Sequence, residues 1–527
     1  MKNLKQTLLA VGLLAAGIIA GCSDDDTATN PTTVDPVTNL RATTVTDKSI
    51  ALAWDYAATA DSFRIWRNGT QLASVVGTTK TYTDNGLTAS TLYTYSIVAV
   101  KGGTASASAS FGISTTLPGS TEKRAILAGN TGDKDRTLSK DTIYTIVGFY
   151  FVQPGTKLII PAGTRLEGDF ETKGAIITVR GTKSRSSGQL IAQGTPTEPI
   201  IFTSEKPEGQ RARGDWGGIV LNGLADINVP GKTGTGEGGT GTYGPGGVGT
   251  AKNDDTSGVL TYVRIEYGGT KITADNEVNG LTLNGVGSGT VLDHVQVHFI
   301  ADDGFEWFGG TVNGRYLVSS GNDDDMFDMD FGYSGKLQFL FGIQDPDLAN
   351  RGFEVDNDAD GSTNEPFTSA TIANVTLIGA GKEKANNENN DGLYLRRNNK
   401  LKIYNAIVTN FRYGLVVDGS TTKDNADNGE LFVKNSILHG SAGAYTYAKG
   451  TSADLDPIAQ KNSWNIATTD PALTALTFTA PNPLPTNFAT LPQAAQLPSE
   501  FFQQVSYIGA FGPATNWIQG WTAFKKN

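Results

Sequence analysis

Apolar and polar residues alternate in a short phrase that recurs through the middle of the chain, between residues 304 and 419. In each copy the apolar residues take every second position, as they do in a β-strand with one buried face. The copies begin at Gly304, Met326, Gly352, Gly392 and Gly414, separated by 22, 26, 40 and 22 residues. One short strand per repeat predicts a solenoid in which successive coils stack.

A second alternating segment recurs between these copies and places an asparagine in one repeated slot. The asparagines are Asn374, Asn405 and Asn435. Stacked asparagines can form an amide ladder in which each side chain bonds to the next coil. Together the two segments resemble the coils of a right-handed parallel β-helix of the pectate-lyase-like class. This resemblance implies an all-β architecture and leaves the activity open, because the fold carries lyases, hydrolases, adhesins and inert stalks.

Residues 36–117 follow a different pattern, with short alternating strands and two Asn-Gly turns. About 80 residues of this kind fit one small β-sandwich. Trp54 resembles the buried tryptophan of a fibronectin type III domain, and Leu87, Tyr93 and Tyr95 resemble its tyrosine-corner strand. The resemblance implies a spacer or a protein-binding unit.

The N-terminus has the features of a targeting segment. Lys2 and Lys5 precede an apolar stretch, 7–20, that is short for a membrane span and ends just before Cys22. This stretch resembles a bacterial lipobox, which implies a signal peptide at 1–21, lipidation of Cys22 and membrane attachment through the lipid. The acidic run after Cys22 resembles a surface-export signal, so an outer-membrane lipoprotein exposed at the cell surface is expected. An ordinary cleaved signal peptide is the alternative.

The remaining boundaries follow from changes in pattern. Residues 22–35 form a polar, disordered acidic tether, and 118–140 form a linker. The β-helix is predicted to span 141–450. Within it, the glycine- and threonine-rich stretch 230–258 reads as a loop that extends from one coil and covers or enlarges a binding face.

The repeats fade after about residue 451, and the tail is rich in aromatic residues that include Trp517 and Trp521. A stacked sheet needs its open end covered, because an exposed edge pairs with other chains. Residues 451–527 are therefore predicted to be a C-terminal cap that folds its aromatic side chains onto the last coils. A platform for stacking sugars is the alternative.

Composition narrows the class of partner. The chain has 42 basic and 53 acidic residues, and a net charge of −11 argues against nucleic acid or an anionic lipid surface. Cations, neutral glycans and basic protein surfaces are compatible with it. Three histidines argue against a histidine-rich metal site, and one cysteine cannot form a disulfide within the chain.

The aligned phrases predict where carboxylates collect. If the phenylalanines of the first three copies point inward, Glu306, Asp328 and Glu354 point outward and stack about 4.8 Å apart. Like charges at this spacing raise the pKa of at least one carboxyl unless a cation binds, and calcium prefers such oxygen ligands. A second column is predicted beside the first, formed by Phe308, Asp330, Asp356, Arg396 and Asp418. We take Glu306, Asp328, Asp330, Glu354 and Arg396 as the predicted ligand face.

A separate motif also indicates calcium. Asp356, Asp358 and Asp360 have the spacing of a calcium loop, and a glycine followed by Ser362 completes the predicted site. The motif departs from an EF-hand, since position 12 is Phe367 and no helices flank it. The alternative is a polar turn whose side chains cap their own backbone.

Catalysis stays open at this stage. Carboxylates suit glycoside hydrolysis, and lyases of the resembled class pair calcium with a basic residue. The arginines considered as bases are Arg315, Arg351, Arg396 and Arg397. His294 and His298 share one strand face and are more consistent with a ladder of stacked rings.

The leading hypothesis is a non-enzymatic, lipid-anchored surface protein whose calcium-stabilised β-helix binds a glycan or a protein. The second is a polysaccharide lyase or glycoside hydrolase that acts on the acidic face. The third is an accessory lipoprotein of an outer-membrane barrel receptor. No nucleic-acid partner is expected.

Overall fold

The computed structural model describes residues 33–116, 118–119, 122–273, 276–348, 350–381, 390–441, 443–447, 455–513 and 516–526. Cys22 and the predicted signal peptide lie outside these described residues, so lipidation stays a prediction. Within the described ranges, no helix is long and apolar enough to cross a membrane.

The N-terminal domain is a sandwich of two antiparallel sheets. One sheet contains Thr38–Val45, Ser49–Asp55 and Thr81–Asn85. The other contains Ser62–Arg67, Thr70–Val76, Leu92–Lys101, Thr104–Ala105 and Ala109–Ser114. Trp54 is buried between them, with its ring centroid 5.4 Å from that of Phe63. The Thr88 amide donates to the Tyr93 hydroxyl at 2.9 Å. This contact confirms the predicted tyrosine corner.

The rest of the described chain is dominated by a parallel β-helix. One face is a ten-strand parallel sheet that receives one short strand from each coil. Its strands are Phe149–Val152, Ala175–Thr178, Gly218–Asn222, Leu281–Val286, Phe305–Gly310, Phe327–Asp330, Phe353–Val355, Asp391–Leu395, Tyr413–Val417 and Gly443–Tyr447. Alternate residues of these strands fill the core between the sheets, which confirms the all-β solenoid.

The remaining faces are built from a second set of parallel strands. They are Lys123–Leu127, Arg136–Thr137, Thr142–Ile146, Lys157–Ile160, Arg165–Gly168, Gln189–Gln193, Ile200–Ser204, Gly258–Glu266, Val291–His298, Asn313–Ser320, Lys336–Ile343, Thr371–Ile378, Lys402–Thr409, Phe432–Lys434, Ser436–His439 and Ile466–Ala467. Hairpins leave the coils at Gly234–Gly236 with Gly241–Tyr243, at Thr270–Thr273 with Asn276–Val278, and at Leu473–Ala475 with Asn482–Pro485. The helices are Ser420–Asp427 and Asp456–Lys461, with 3-10 turns at Pro230–Lys232, Glu237–Gly239 and Phe488–Thr490.

The predicted linker, 118–140, needs a correction. Lys123–Leu127 pairs in parallel with Thr142–Ile146, and Arg136–Thr137 pairs with Lys157–Ile160. The first rungs of the solenoid therefore lie inside the segment assigned to the linker. The repeating phrase is weak there, so the pattern alone did not indicate strands.

The long strands of the second set bend at one repeated position. The residues at this position all have a left-handed backbone, with φ between 48° and 61°. They are Tyr262, His294, Tyr316, Phe339, Asn374, Asn405 and Asn435. The aromatic members stack ring on ring, with 4.3 Å between the centroids of His294 and each neighbouring tyrosine. The bend lets one continuous strand contribute to two faces of the coil.

The asparagines share one slot as predicted, but the predicted amide ladder is wrong. Asn374 donates its amide to the backbone oxygens of Tyr507 and Gly509, and Asn435 donates to Gln493. The left-handed bend turns these side chains outward, and the C-terminal tail passes directly over them. Each asparagine therefore bonds to the tail and not to the asparagine of the next coil, and the Asn374 oxygen also accepts from the Gln338 amide of the preceding coil at 3.0 Å.

The tail lies along this bent flank and changes direction on it, because Phe501 contacts Arg315 before Gly509 returns to Asn405. Trp521 is 1% exposed and packs edge-on against Tyr262 and His294, with centroids 5.7 and 5.6 Å away. The tail aromatics thus lie on middle coils and not on the last coils, as their position in the sequence had predicted. Near the end of the solenoid, Leu455 and Trp464 join the core. The function of the tail as a cap stays a prediction.

Replacing Asn405 tests the coupling between a bend and the tail. Asn405 has φ 57°, and its carboxamide oxygen accepts the Ala495 amide at 2.7 Å. We expect Asn405→Ala to cost about 2–4 kcal/mol, because a left-handed alanine is strained and the Ala495 amide loses its partner. Asn405→Gly keeps the conformation and should cost about 1 kcal/mol less. If both variants lost the same unfolding free energy in guanidinium denaturation, the left-handed backbone conformation at residue 405 would contribute nothing to stability.

Candidate functional site

Glu306, Asp328 and Glu354 stack in one column on the ten-strand sheet. In the parallel register Glu306 lies opposite Asp328, and Asp328 lies opposite Glu354. Phe327, the residue before Asp328 in the same strand, is fully buried in the core. Because successive side chains of a strand point to opposite faces, the acidic residues occupy the outer face. The predicted column is confirmed.

The second predicted column is also in register. Phe308 lies opposite Asp330. The amides of Asp356, Arg396 and Asp418 donate to carbonyls of neighbouring strands at 3.0, 3.0 and 2.8 Å, which continues the ladder one residue beyond each strand. Two adjacent columns of charged residues therefore run across several coils.

These columns do not form the open wall that the alternation suggested. Glu306 and Glu354 are 8% and 6% exposed. The hairpin of the glycine-rich loop lies over this face, where Tyr243 approaches Phe308 with 6.3 Å between ring centroids. Asn222 anchors the same hairpin by donating to the Thr240 carbonyl at 3.1 Å. The loop therefore covers part of the predicted ligand face.

Seven carboxylates, three of them from the first column, form three overlapping groups. In each group the ligand oxygens lie within 4.8 Å of one another. The groups are Asp302 with Asp303 and Asp324; Asp303 with Glu306 and Asp328; and Asp325 with Asp328 and Glu354. Asp303 and Asp328 each belong to two groups, so the seven residues are continuous. We call them the carboxylate cluster.

The cluster is electrostatically strained in the absence of a cation. Burial, followed by the neighbouring Glu277 carboxyl, raises the pKa of Asp302 to about 10. Burial and then nearby carboxylates raise the pKa of Asp303 and of Glu306 well above the usual range. Burial, followed by Asp325, raises the pKa of Asp324 to about 7. Several of these groups bind a proton at neutral pH unless another cation replaces it.

Arginines border the cluster on its C-terminal side. Arg351 pairs with Glu354, and one of its nitrogens is 3.6 Å from an Asp325 oxygen. Arg396 also pairs with Glu354, and its Nε donates to Asp356 at 2.8 Å. Both guanidinium groups lie near the ring of Tyr394, at 4.4 and 5.2 Å from its centroid. The face therefore changes from acidic to mixed charge along the solenoid axis.

The predicted calcium loop has a different geometry from that expected. Asp356 is held by Arg396 and by Arg397, whose nitrogen is 2.7 Å away. Asp358 accepts the backbone amides of Asp360 and Ser362 at 3.1 and 2.9 Å, as in a turn that caps itself. Among the residues that the structure describes, the carboxylate groups close enough to share an ion do not include Asp356, Asp358 or Asp360. The carboxylate cluster is the better candidate for a cation.

Three of the candidate bases lie away from this face. Arg315 donates to the Phe501 carbonyl beneath the tail. His294 is stacked in the aromatic column, and His298 is buried, with its Nε2 2.7 Å from the Lys525 carbonyl oxygen. Ring stacking between coils accounts for His294, as the ladder interpretation indicated, whereas contacts with the tail hold Arg315 and His298.

Sequence reasoning missed several residues around the cluster. Glu277 pairs with Lys271 at 2.9 Å, and Asn279 donates to Glu306. Glu237 of the covering hairpin has its pKa raised to about 7, first by burial and then by Glu277. Glu237 and Glu277 lie on hairpins outside the repeating phrase, so no periodic signal pointed to them.

Known proteins resemble separate parts of the chain. The curated relatives include a poly(3-hydroxybutyrate) depolymerase of Ralstonia pickettii, 41% identical over 63 residues, which are 12% of each chain. Chitinase C of Streptomyces lividans is 47% identical over 62 residues, 11% of this chain and 10% of that enzyme. Chitinase D of Niallia circulans is 28% identical over 221 residues, 37% of this chain and 40% of that enzyme. The chain thus spans less than half the length of these relatives.

Fibronectin type III structures match a small share of the chain. A two-domain fibronectin type III segment of chicken tenascin has a TM-score of 0.16 and 23% identity, and the match covers 16% of this chain and 51% of that one. The fibronectin type III family model matches residues 35–116. The family model described as a pectate-lyase-like β-helix domain matches residues 129–481, which is more than half of the chain. The chain therefore belongs to the pectate-lyase-like β-helix family and carries an N-terminal fibronectin type III domain.

Proposed function

We propose that this chain binds a polysaccharide on the outer face of its ten-strand sheet, with calcium held in the carboxylate cluster. The observation that carries the proposal is the set of three overlapping carboxylate groups, each within 4.8 Å, next to arginines on the same face. The family and the relatives named as chitinases support a carbohydrate ligand.

Calcium fits the chemistry of the cluster. The available ligands are carboxylate oxygens, the type that this hard cation prefers. Asp303 and Asp328 are shared between neighbouring groups, so more than one ion can be held along the column. Bound cations would replace the protons that the raised pKa values of Asp303 and Asp328 indicate.

The arginines supply the complementary half of the face. Arg351 and Arg396 present planar guanidinium groups that bind carboxylates, and an acidic sugar can compete for them with Glu354. A cation beside Glu354 would favour that exchange, because it also attracts the sugar carboxylate. We therefore expect a uronate-containing polymer to bind more tightly than a neutral one.

A glycan array tests this proposal. The chain from residue 33 onward should bind uronate-containing glycans in calcium and lose most of the signal in chelator. Asp303→Asn should reduce binding at least about tenfold, because it removes a ligand from two groups. Asp323→Asn, an exposed neighbour outside the groups, is the matched control. Binding that is indifferent to chelator and to Asp303→Asn would contradict the calcium-dependent site.

Catalysis is the second candidate function, and it is favoured by the position of two arginines next to the carboxylate cluster. Arg351 and Arg396 lie within ion-pair distance of the carboxylate cluster, where a polymer bound through calcium would meet them. A lyase would produce an unsaturated product with new ultraviolet absorbance during incubation with uronate polymers. The same samples that bind on the array serve for this assay, so binding without product formation separates the two functions.

A further inference from the structure

One strand at the start of the solenoid has its two faces in two different cores. In Lys123–Leu127, Ala125 and Leu127 are 5% and 0% exposed and belong to the solenoid core. The intervening Ile126 is 2% exposed and packs in the core of the fibronectin type III domain, with Val45. Alternation along five residues thus joins the two domains through a shared strand.

The same strand is an edge that needs covering. Lys123–Leu127 pairs in parallel with Thr142–Ile146 on one side. On the other side Val45 pairs antiparallel with Arg124. The end of strand Thr38–Val45 therefore occupies the position that a further rung of the solenoid would take. An uncovered strand at this point would expose unpaired backbone groups to other chains.

Further contacts widen the junction beyond a single strand. Ala128 and Val147, both on the first coil, pack against the fibronectin type III core. Gly129 has φ 79°, and a Cβ placed there would lie 3.0 Å from the Asn39 side-chain oxygen. Gly129 therefore lies directly against the Asn39 side chain, which adds another contact between the first coil and the sandwich.

We propose that the fibronectin type III domain is the N-terminal cap of the solenoid. Terminal repeats need a covering element, and this sandwich supplies both an apolar surface for Ile126 and a strand for the open edge. The domain is then a rigid part of the β-helix and not a hinged spacer. Opening the junction exposes the first coil as well as the sandwich, so the two lose structure together.

Hydrogen exchange on the chain from residue 33 onward tests the cap. Ile126→Asp places a charge in the shared core. It should lower protection in both Thr38–Val45 and Thr142–Ile146 by at least about tenfold. Protection in the distant strand Lys402–Thr409 should not change. Val76→Asp, at a site 64% exposed on the same sandwich, is the control and should change none of the three strands.

Two further outcomes keep the test decisive. Small-angle scattering of the unmodified protein should fit one rigid arrangement of the two domains, and a range of interdomain angles would overturn the proposal. Ile126→Asp should also self-associate through the exposed edge, which light scattering detects. If that variant does not fold, Ile126→Ala replaces it; loss of protection confined to Thr38–Val45, with Thr142–Ile146 unchanged, would refute the cap.

Discussion

Phe327→Ala is expected to destabilise the solenoid by about 3–5 kcal/mol, because it empties a space between two rungs that cannot collapse independently. Phe327 is fully buried and stacks between Phe305 and Phe353, with centroid distances of 5.5 and 5.0 Å. Both neighbours belong to adjacent coils whose spacing is set by backbone hydrogen bonds. The loss is measured as the change in unfolding free energy in guanidinium chloride.

Two further variants distinguish the loss of core packing at Phe327 from a general sensitivity of the protein to substitution of phenylalanine. Phe327→Leu keeps most of the volume and should cost roughly 1–2 kcal/mol. Phe488→Ala removes the same ring from a half-buried position in the tail and should cost less than about 1.5 kcal/mol. If Phe327→Ala cost no more than Phe488→Ala, the stacked phenylalanines would not support the coils.

Calcium is expected to raise the melting temperature of the protein. At a hundredfold excess over the dissociation constant, one bound ion stabilises the folded state by about 2.7 kcal/mol. For a chain of 527 residues this corresponds to a shift on the order of 3 °C. Differential scanning calorimetry with calcium, and with a chelator, measures the shift directly.

Asp328→Asn should have two effects of opposite sign. It removes a carboxylate whose charged form is disfavoured by burial and by Asp325, so the calcium-free protein should become more stable. It also removes a ligand from two carboxylate groups, so the shift on adding calcium should be lost. Asp323→Asn should alter neither the stability of the calcium-free protein nor the shift on adding calcium. An unchanged calcium shift in Asp328→Asn would place the ion elsewhere.

The calcium effect should also depend on pH in a defined direction. Burial raises the pKa of Asp324, a member of the cluster, and of Asp330, in the neighbouring column, to about 7, above the value near 4 expected in the unfolded chain. In the calcium-free protein the stability from these groups is therefore complete below about pH 4 and is lost as pH rises through about 7. The gain from calcium should grow over the same window. A shift of equal size at about pH 5 and pH 8 would contradict proton competition in the cluster.

The fold followed from patterns that repeat. Alternation in every phrase identified strands with one buried face, and the stacking of successive phrases brought Glu306, Asp328 and Glu354 into one register. Neighbouring coils pair through backbone hydrogen bonds, so residues in equivalent positions must align whatever their side chains are. The buried Trp54 and the hydroxyl contact of Tyr93 followed in the same way from local residues of the sandwich.

Part of the candidate site could not be predicted, because it is formed by segments outside the repeat. The hairpin that carries Glu237, the hairpin that carries Glu277 and the tail that binds Asn405 lie far from their partners in sequence. Their positions follow from side-chain packing against a finished solenoid, which no local pattern describes. The segment predicted to be a calcium loop shows the same limit, because Arg396 and Arg397 of a neighbouring coil form ion pairs with Asp356 that the local spacing did not indicate.

Sequence by itself therefore determined the repeated strands, their stacking and the column of acidic residues, because each depends on alternation within a phrase and on the recurrence of that phrase. Tertiary structure alone decided that the column is covered and that the strand around Ile126 belongs to two cores. Burial and long-range contacts set the charge state and accessibility of these groups, and both depend on residues that meet only after the chain has folded.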